Sequence, residues 1–158
     1  MADYPEIVIA VWKDDLRSLR KLSANPDTID PDGRTALHAA AIDSKFDAAK
    51  ILVEAGANVN FHDSDGWTAL HFAAQSGSVQ IANLLIDNGA EVDLRDSHGN
   101  TPLFRATFDS KGDGSLITLL RKHGADENSK NEAGVSPVDL ARTIGNYDVA
   151  QFFTNVHE

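Results

Sequence analysis

The chain contains no cysteine. That absence removes a disulfide framework, thiolate zinc sites and a cysteine nucleophile together, and it suits a reducing compartment. Long apolar runs are missing as well. The first, Ile7 to Trp12 within MADYPEIVIAVWKDDLRS, is too short for a signal-peptide core, and Asp3 and Glu6 stand where such a signal is positive. No other stretch approaches the length of a membrane span. A cytoplasmic protein of one domain is expected. Positive charge is also scarce: 14 Lys and Arg face 24 Asp and Glu, a formal net charge of −10. Nucleic-acid binding draws on counterion release at basic surfaces, so direct contact with DNA or RNA is not expected. An acidic surface favours and steers basic partners, and it also keeps a small domain soluble.

What fills the chain is a repeat. DGRTALHAAA from Asp32, DGWTALHFAA from Asp65, HGNTPLFRAT from His98 and AGVSPVDLAR from Ala133 align on Gly33, Gly66, Gly99 and Gly134, spaced 33, 33 and 35 residues apart. Gly56-Ala57, Gly89-Ala90 and Gly124-Ala125 form a second series with steps of 33 and 35. Two independent landmarks keeping one period make chance a poor explanation. Each unit opens on an Asp- and Gly-bearing turn such as Asp63-Ser64-Asp65-Gly66. Thr68 then stands where it caps a short helix, whose apolar face carries Leu70, Ala73 and Ala74. A second helix follows with Val79, Ile81, Ala82, Leu84, Leu85 and Ile86, and stops at Asn88-Gly89. One such unit cannot bury its apolar face alone; stacked units can.

These residues resemble the ankyrin repeat, whose signature includes T-P-L-H-x-A over about 33 residues. Thr35-Ala36-Leu37-His38-Ala39-Ala40 and Thr68-Ala69-Leu70-His71-Phe72-Ala73 match with Ala in place of Pro, Thr101-Pro102-Leu103-Phe104 keeps the Pro and loses the His, and Ser136-Pro137-Val138-Asp139 is a weaker terminal version. The resemblance implies an all-α solenoid of helix-turn-helix units joined by β-hairpin-like turns. Full repeats are expected at 30–62, 63–95 and 96–130, between capping repeats at 1–29 and 131–158. The N-terminal cap shows two short helical patterns, Ile7, Val8, Val11 and Leu16, Leu19, Leu22, and the chain runs out at Phe152-Phe153-Thr154-Asn155-Val156-His157-Glu158. Repeat four is longer: Leu70 to Leu84 is 14 residues, whereas Leu103 to Leu119 is 16. The two added residues fall in Asp109–Ser115, either as a tolerated surface loop or as a loop on a binding face.

Catalytic and metal readings are tempting at three places and fail at each. His38 and His71 recur in register, but the resemblance implies that this His hydrogen-bonds the Thr three residues earlier, and no H-E-x-x-H pattern supplies further zinc ligands. Asp63-Ser64-Asp65-Gly66 looks like half of a calcium loop, yet position one would be Phe61 and position twelve Phe72; the Asp30 turn fails likewise with Thr28 and Ala39. Gly112-Asp113-Gly114 lacks the remainder of a phosphate loop, and no G-x-S-x-G elbow occurs. A non-catalytic chain without cofactor or metal is expected.

The resemblance places a partner in a concave groove made by the hairpin tips and the first helix of each repeat. Carried over position by position, the candidates at the tips are Arg34, His62, Ser64, Asp65, Trp67, Arg95, Ser97, His98, Asn100 and Lys130. On the first helices they are Ile42, Asp43, Gln75, Ser76, Phe108 and Asp109, with Arg105 added because it replaces the usual small apolar residue. Trp67 is the principal anchor expected, since nothing in the repeat demands an indole between Gly66 and Thr68, and aromatics and Arg dominate binding energy. Trp12, in the N-terminal cap, is expected in the core, as is Phe104. The function expected is a protein-binding module, monomeric when free, that docks on a basic protein and blocks it. An antidote for a toxin enzyme such as a nuclease is the concrete version, with Asp32, Asp65 and Asp109 facing its electropositive site; a scaffold that positions its partner is the alternative.

Overall fold

Thr or Ser followed by an alanine-rich stretch starts a helix here, and an Asn-Gly or similar pair ends the one after it. The computed structural model describes residues 3–154, and these contain nine α-helices in chain order. The inner row is α1 (Glu6–Trp12), α3 (Ala36–Ile42), α5 (Ala69–Ser76), α7 (Pro102–Phe108) and α9 (Pro137–Thr143). The outer row is α2 (Leu16–Leu22), α4 (Phe46–Glu54), α6 (Val79–Asp87) and α8 (Ser115–Lys122), followed by a 3₁₀ turn at Val149–Phe153. Inner helices pack on inner helices in sequence order, and outer on outer, so the chain advances as an all-α solenoid. Among the described residues, extended pairing is confined to one antiparallel bridge between His62 and Thr68.

Hydroxyls do the capping. The Oγ atoms of Thr68, Thr101 and Ser136 accept the backbone N–H of His71, Phe104 and Asp139 at 3.4, 3.3 and 3.2 Å. In return Nδ1 of His38 accepts the Thr35 N–H at 3.0 Å, and Nδ1 of His71 that of Thr68 at 3.1 Å. The far nitrogen then reaches the hairpin that follows: Nε2–H of His38 donates to the Phe61 carbonyl of its own repeat and the Trp67 carbonyl of the next, and that of His71 to the Asn100 carbonyl of the next, each at 3.0 Å. Burial lowers the pKa of both, His71 to about 4, so each ring is the neutral tautomer this arrangement needs. The repeated histidines therefore join neighbouring repeats.

Leu37, Leu70 and Leu103 are 1% exposed or less at equivalent positions and fill the seam between inner and outer rows. The alanines beside them, Ala36, Ala40, Ala69, Ala73 and Ala106, are equally buried. Their small volume lets successive inner helices approach closely. At the hairpins, Oδ1 of Asp63 accepts the N–H of Asp65 at 3.0 Å and of Trp67 at 2.8 Å; Asp30, Asp96 and Asn131 repeat the device. Backbone bonds then link tip to tip, Ser64 N–H to Asp32 C=O at 3.2 Å, Ser97 to Asp65 at 2.9 Å and Glu132 to His98 at 3.0 Å. Gly66 has φ +79°, and a Cβ there would sit 3.0 Å from the Ser97 nitrogen, so the close approach of tips requires glycine.

Two features differ from the sequence expectation. Trp12 is 44% exposed, not core: it is the last residue of α1 and its ring stands edge-on to Tyr4, at 4.9 Å between centroids. The loop of repeat four is not free either. A Cβ on Gly112 would meet the Tyr147 ring, and one on Gly114 the Phe152 ring, so the added residues form a seat for the C-terminal segment. Arg121 holds that segment by donating to the Phe152 and Phe153 carbonyls, with its guanidinium 5.1 Å from the Phe153 ring centre. Phe104 is half-buried. Residues 155–158 of the polar finish lie outside the described residues.

Candidate partner-binding groove

The hairpin tips and the exposed edges of the inner helices enclose a depression of about 380 Å³ lined by Arg34, Asp63, Asp65, Trp67, Phe72, Gln75, His98 and Arg105. Six of these eight are residues the sequence singled out, drawn from three consecutive repeats. Asp63 and Phe72 were not among them.

Stacking organises this floor. The Arg34 guanidinium lies 5.2 Å from the Phe72 ring centre, Phe72 is 4.8 Å from Trp67, and the Arg105 guanidinium covers Trp67 at 4.4 Å. His71 lies a further 5.8 Å from the Trp67 ring. Trp67 is consequently half-buried, with Phe72 and Arg105 both against it. It presents part of an indole to solvent from within this stack.

Each arginine is tethered from below. Nε of Arg34 donates to Asp63 at 3.3 Å, and its other end pairs with Asp32 at 3.6 Å; a terminal nitrogen of Arg105 donates to Asp96 at 3.3 Å. The side chains of Asp63 and Asp96 are 1% and 0% exposed. Burial raises the pKa of Asp96, but the N–H groups of Asn100 and His98 and the Arg105 guanidinium outweigh it and hold the carboxyl below its usual range. One carboxylate thus closes a hairpin with one oxygen and grips an arginine with the other. The recurrence of Asp30, Asp63 and Asp96 three residues before a glycine was the signal for this second role.

The remaining candidates divide by exposure. Ile42, Asp43, His62, Asp65, Gln75, Ser76, Arg95, His98 and Phe108 are exposed, as are the neighbouring tip residues Ser64, Ser97 and Lys130. The Ser76 hydroxyl donates to the Ala41 and Phe72 carbonyls at 2.8 Å, so its oxygen is largely committed to the fold. Arg95 donates to the Lys130 carbonyl, and with His62 and Ser97 lines a second depression of about 230 Å³ on the outer side of the hairpin. Asn100 differs from the expectation of an exposed tip residue: it is buried, bonded to Asp96 at 3.4 Å and to the Asn131 amide at 2.8 Å, and joins hairpins. Asp109 is half-buried, with one carboxylate oxygen and the Arg105 Nε enclosed and unpaired among the described residues. Burial raises the Asp109 pKa against the pull of Arg105 and Lys111.

No helix among the described residues is long and apolar enough to cross a membrane. Comparison with curated proteins gives no match to the chain. A family model for ankyrin repeats in three copies matches residues 7–96, and one for a single ankyrin repeat matches residues 98–132. Such repeats form protein–protein interaction modules. Since the first match alone spans 90 of the 158 residues, the chain belongs to the ankyrin-repeat family.

Proposed function

We propose that this chain, a monomer when free, docks through its groove on the basic face of another protein and inhibits or sequesters that partner by covering it. The observation that carries the reading is the groove itself: an aromatic floor flanked by arginines that Asp63 and Asp96 already neutralise, with the exposed carboxylate of Asp65 on its lining. Buried, preorganised aromatics supply affinity, while exposed acids on a chain of net charge −10 supply steering toward a basic surface. In its narrow form the proposal is an immunity protein against a toxin enzyme, a nuclease being the target whose electropositive site best complements an acidic tip. Direct contact with nucleic acid is not part of it.

The test is kinetic. Asp32→Asn together with Asp65→Asn should slow association with the captured partner and flatten its salt dependence, leaving dissociation nearly unchanged. Trp67→Ala should instead raise the dissociation rate, by about tenfold or more for an anchor of this kind. A wild-type association rate indifferent to salt refutes the basic-partner reading. Assaying the partner's own activity in the complex separates inhibitor from scaffold: unchanged activity refutes inhibition and leaves docking intact.

A further inference from the structure

Four residues after the N-caps of α3, α5, α7 and α9 stand Ala39, Phe72, Arg105 and Leu140. The residues just before those N-caps, on the hairpin tips, are Arg34, Trp67, Asn100 and Val135. The two registers meet across the repeat boundary. Arg34 lies over Phe72 of the next repeat at 5.2 Å, and Trp67 lies under Arg105 of the next repeat at 4.4 Å. One cation–aromatic contact is thus made twice, with the residue types exchanged between tip and helix. Each time a buried aspartate holds the arginine at 3.3 Å, Asp63 through Arg34 Nε and Asp96 through a terminal nitrogen of Arg105.

We infer that Arg105 is a positioning residue: gripped by Asp96, it fixes the Trp67 ring in the orientation in which the groove presents it. The inference rests on the reading of Trp67 as a docking anchor. Its own repeat offers the ring Phe72 at 4.8 Å and His71 at 5.8 Å; repeat four adds Arg105. A tip side chain that moves among rotamers must be ordered when a partner binds, and that ordering costs affinity. A guanidinium lying on the ring removes the freedom beforehand, provided the guanidinium is itself fixed. Arg105 is fixed at both ends. Its backbone belongs to α7, and its terminal nitrogen donates to Asp96, whose side chain is 0% exposed and whose other oxygen accepts the His98 and Asn100 N–H groups.

Packing alone does not call for arginine at this position. Phenylalanine takes the same register in repeat three and leucine in the last repeat, so an apolar side chain suits it. Arginine there carries a cost, because its Nε is enclosed and has no hydrogen-bond partner among the described residues. What it adds is a single planar group that meets the Asp96 carboxylate and the Trp67 ring together, which an aliphatic chain cannot do. Asp96 and Arg105 belong to repeat four and Trp67 to repeat three. The anchor therefore takes its orientation from the stacking of one repeat on the other.

Trp12→Phe leaves Trp67 as the single indole of the chain, so fluorescence reports on that ring directly. In this background Arg105→Met, which keeps length and loses charge, should raise acrylamide quenching about twofold and add a nanosecond component to the anisotropy decay, the timescale of a freed side chain. Arg105→Lys retains a cation for the ring and should recover part of the protection. Asp96→Asn keeps an oxygen for the hairpin N–H groups but loses the charge that grips Arg105; it should free the ring too, and serves where Arg105→Met fails to fold. Circular dichroism shows which variants are folded. A folded Arg105→Met or Asp96→Asn whose ring is as protected and as slow as the parent's overturns the positioning role. With the captured partner, Arg105→Met should raise the dissociation rate by about tenfold, and should change nothing further in the Trp67→Ala background. Equal effects in both backgrounds make Arg105 a contact in its own right and overturn the inference. Indifference of the partner to Trp67→Ala alone refutes the docking reading, while the ring measurements still decide whether Arg105 positions Trp67.

Discussion

Acidification should weaken this fold through His71 before most of its carboxylates titrate. The ring is fully buried, its Nδ1 accepts the Thr68 N–H, and its Nε2–H donates to the Asn100 carbonyl. The folded pKa is pulled to about 4 from the ordinary 6.5. Above pH 6.5 the ring is neutral in both states and contributes no pH dependence. Below it, the unfolded chain takes up a proton that the folded chain refuses, so stability falls with pH until the folded ring titrates near 4. At about 1.4 kcal/mol per pH unit the complete loss is roughly 3 kcal/mol, and about 2 kcal/mol of it is reached by pH 5. His71→Gln supplies the comparison. Glutamine at this position keeps the reciprocal cap with Thr68 but does not titrate. The variant should be less stable at pH 7.5, and its stability should change less between pH 7.5 and 5. Urea denaturation of both proteins at several pH values measures the difference, which cancels the carboxylates they share. A variant that loses as much stability as the parent over that window refutes the buried-neutral role of His71.

Leu70→Ala or Leu103→Ala should cost roughly 2–5 kcal/mol, because each side chain is fully buried in the core; a variant melting like the parent would place that leucine outside the core. Gly114→Val should displace the Phe152 ring and loosen the C-terminal segment, at about 1–3 kcal/mol. Faster amide exchange confined to Val149–Phe153 is the expected signature, and unchanged protection there would mean that the loop does not seat the segment.

Much of this molecule is written in local chemistry. The 33-residue recurrence of glycines, the Thr or Ser that opens four of the five inner helices and the Asn-Gly that closes an outer one act within a few residues, so their consequences could be read before any contact was known. The pairing of Thr35 with His38 and of Thr68 with His71 is equally local, since position N3 of a helix faces its own N-cap. The groove was legible only in outline. Repeat register placed Arg34, Asp65, Trp67, Gln75 and His98 at one surface, but register is silent on what a side chain meets from the next repeat.

Those cross-repeat contacts decided the rest. Arg105 reaches across to cover the Trp67 ring, which converts an apparently free indole into part of a stack. Asn100 occupies a variable position yet turns inward, because Asp96 and Asn131 on two hairpins offer it partners that solvent would otherwise supply. Trp12 shows the converse: a tryptophan in the N-terminal cap was expected in the core, but as the last residue of α1 it packs edge-on against Tyr4 and remains 44% exposed. The seating of Tyr147 and Phe152 on Gly112 and Gly114 joins segments more than thirty residues apart, where no sequence period connects them. Sequence determined the repeating unit because its signals are short-range hydrogen bonds and turn geometry. Tertiary structure decided which side chains stay exposed, because exposure depends on the neighbour that packs against each position.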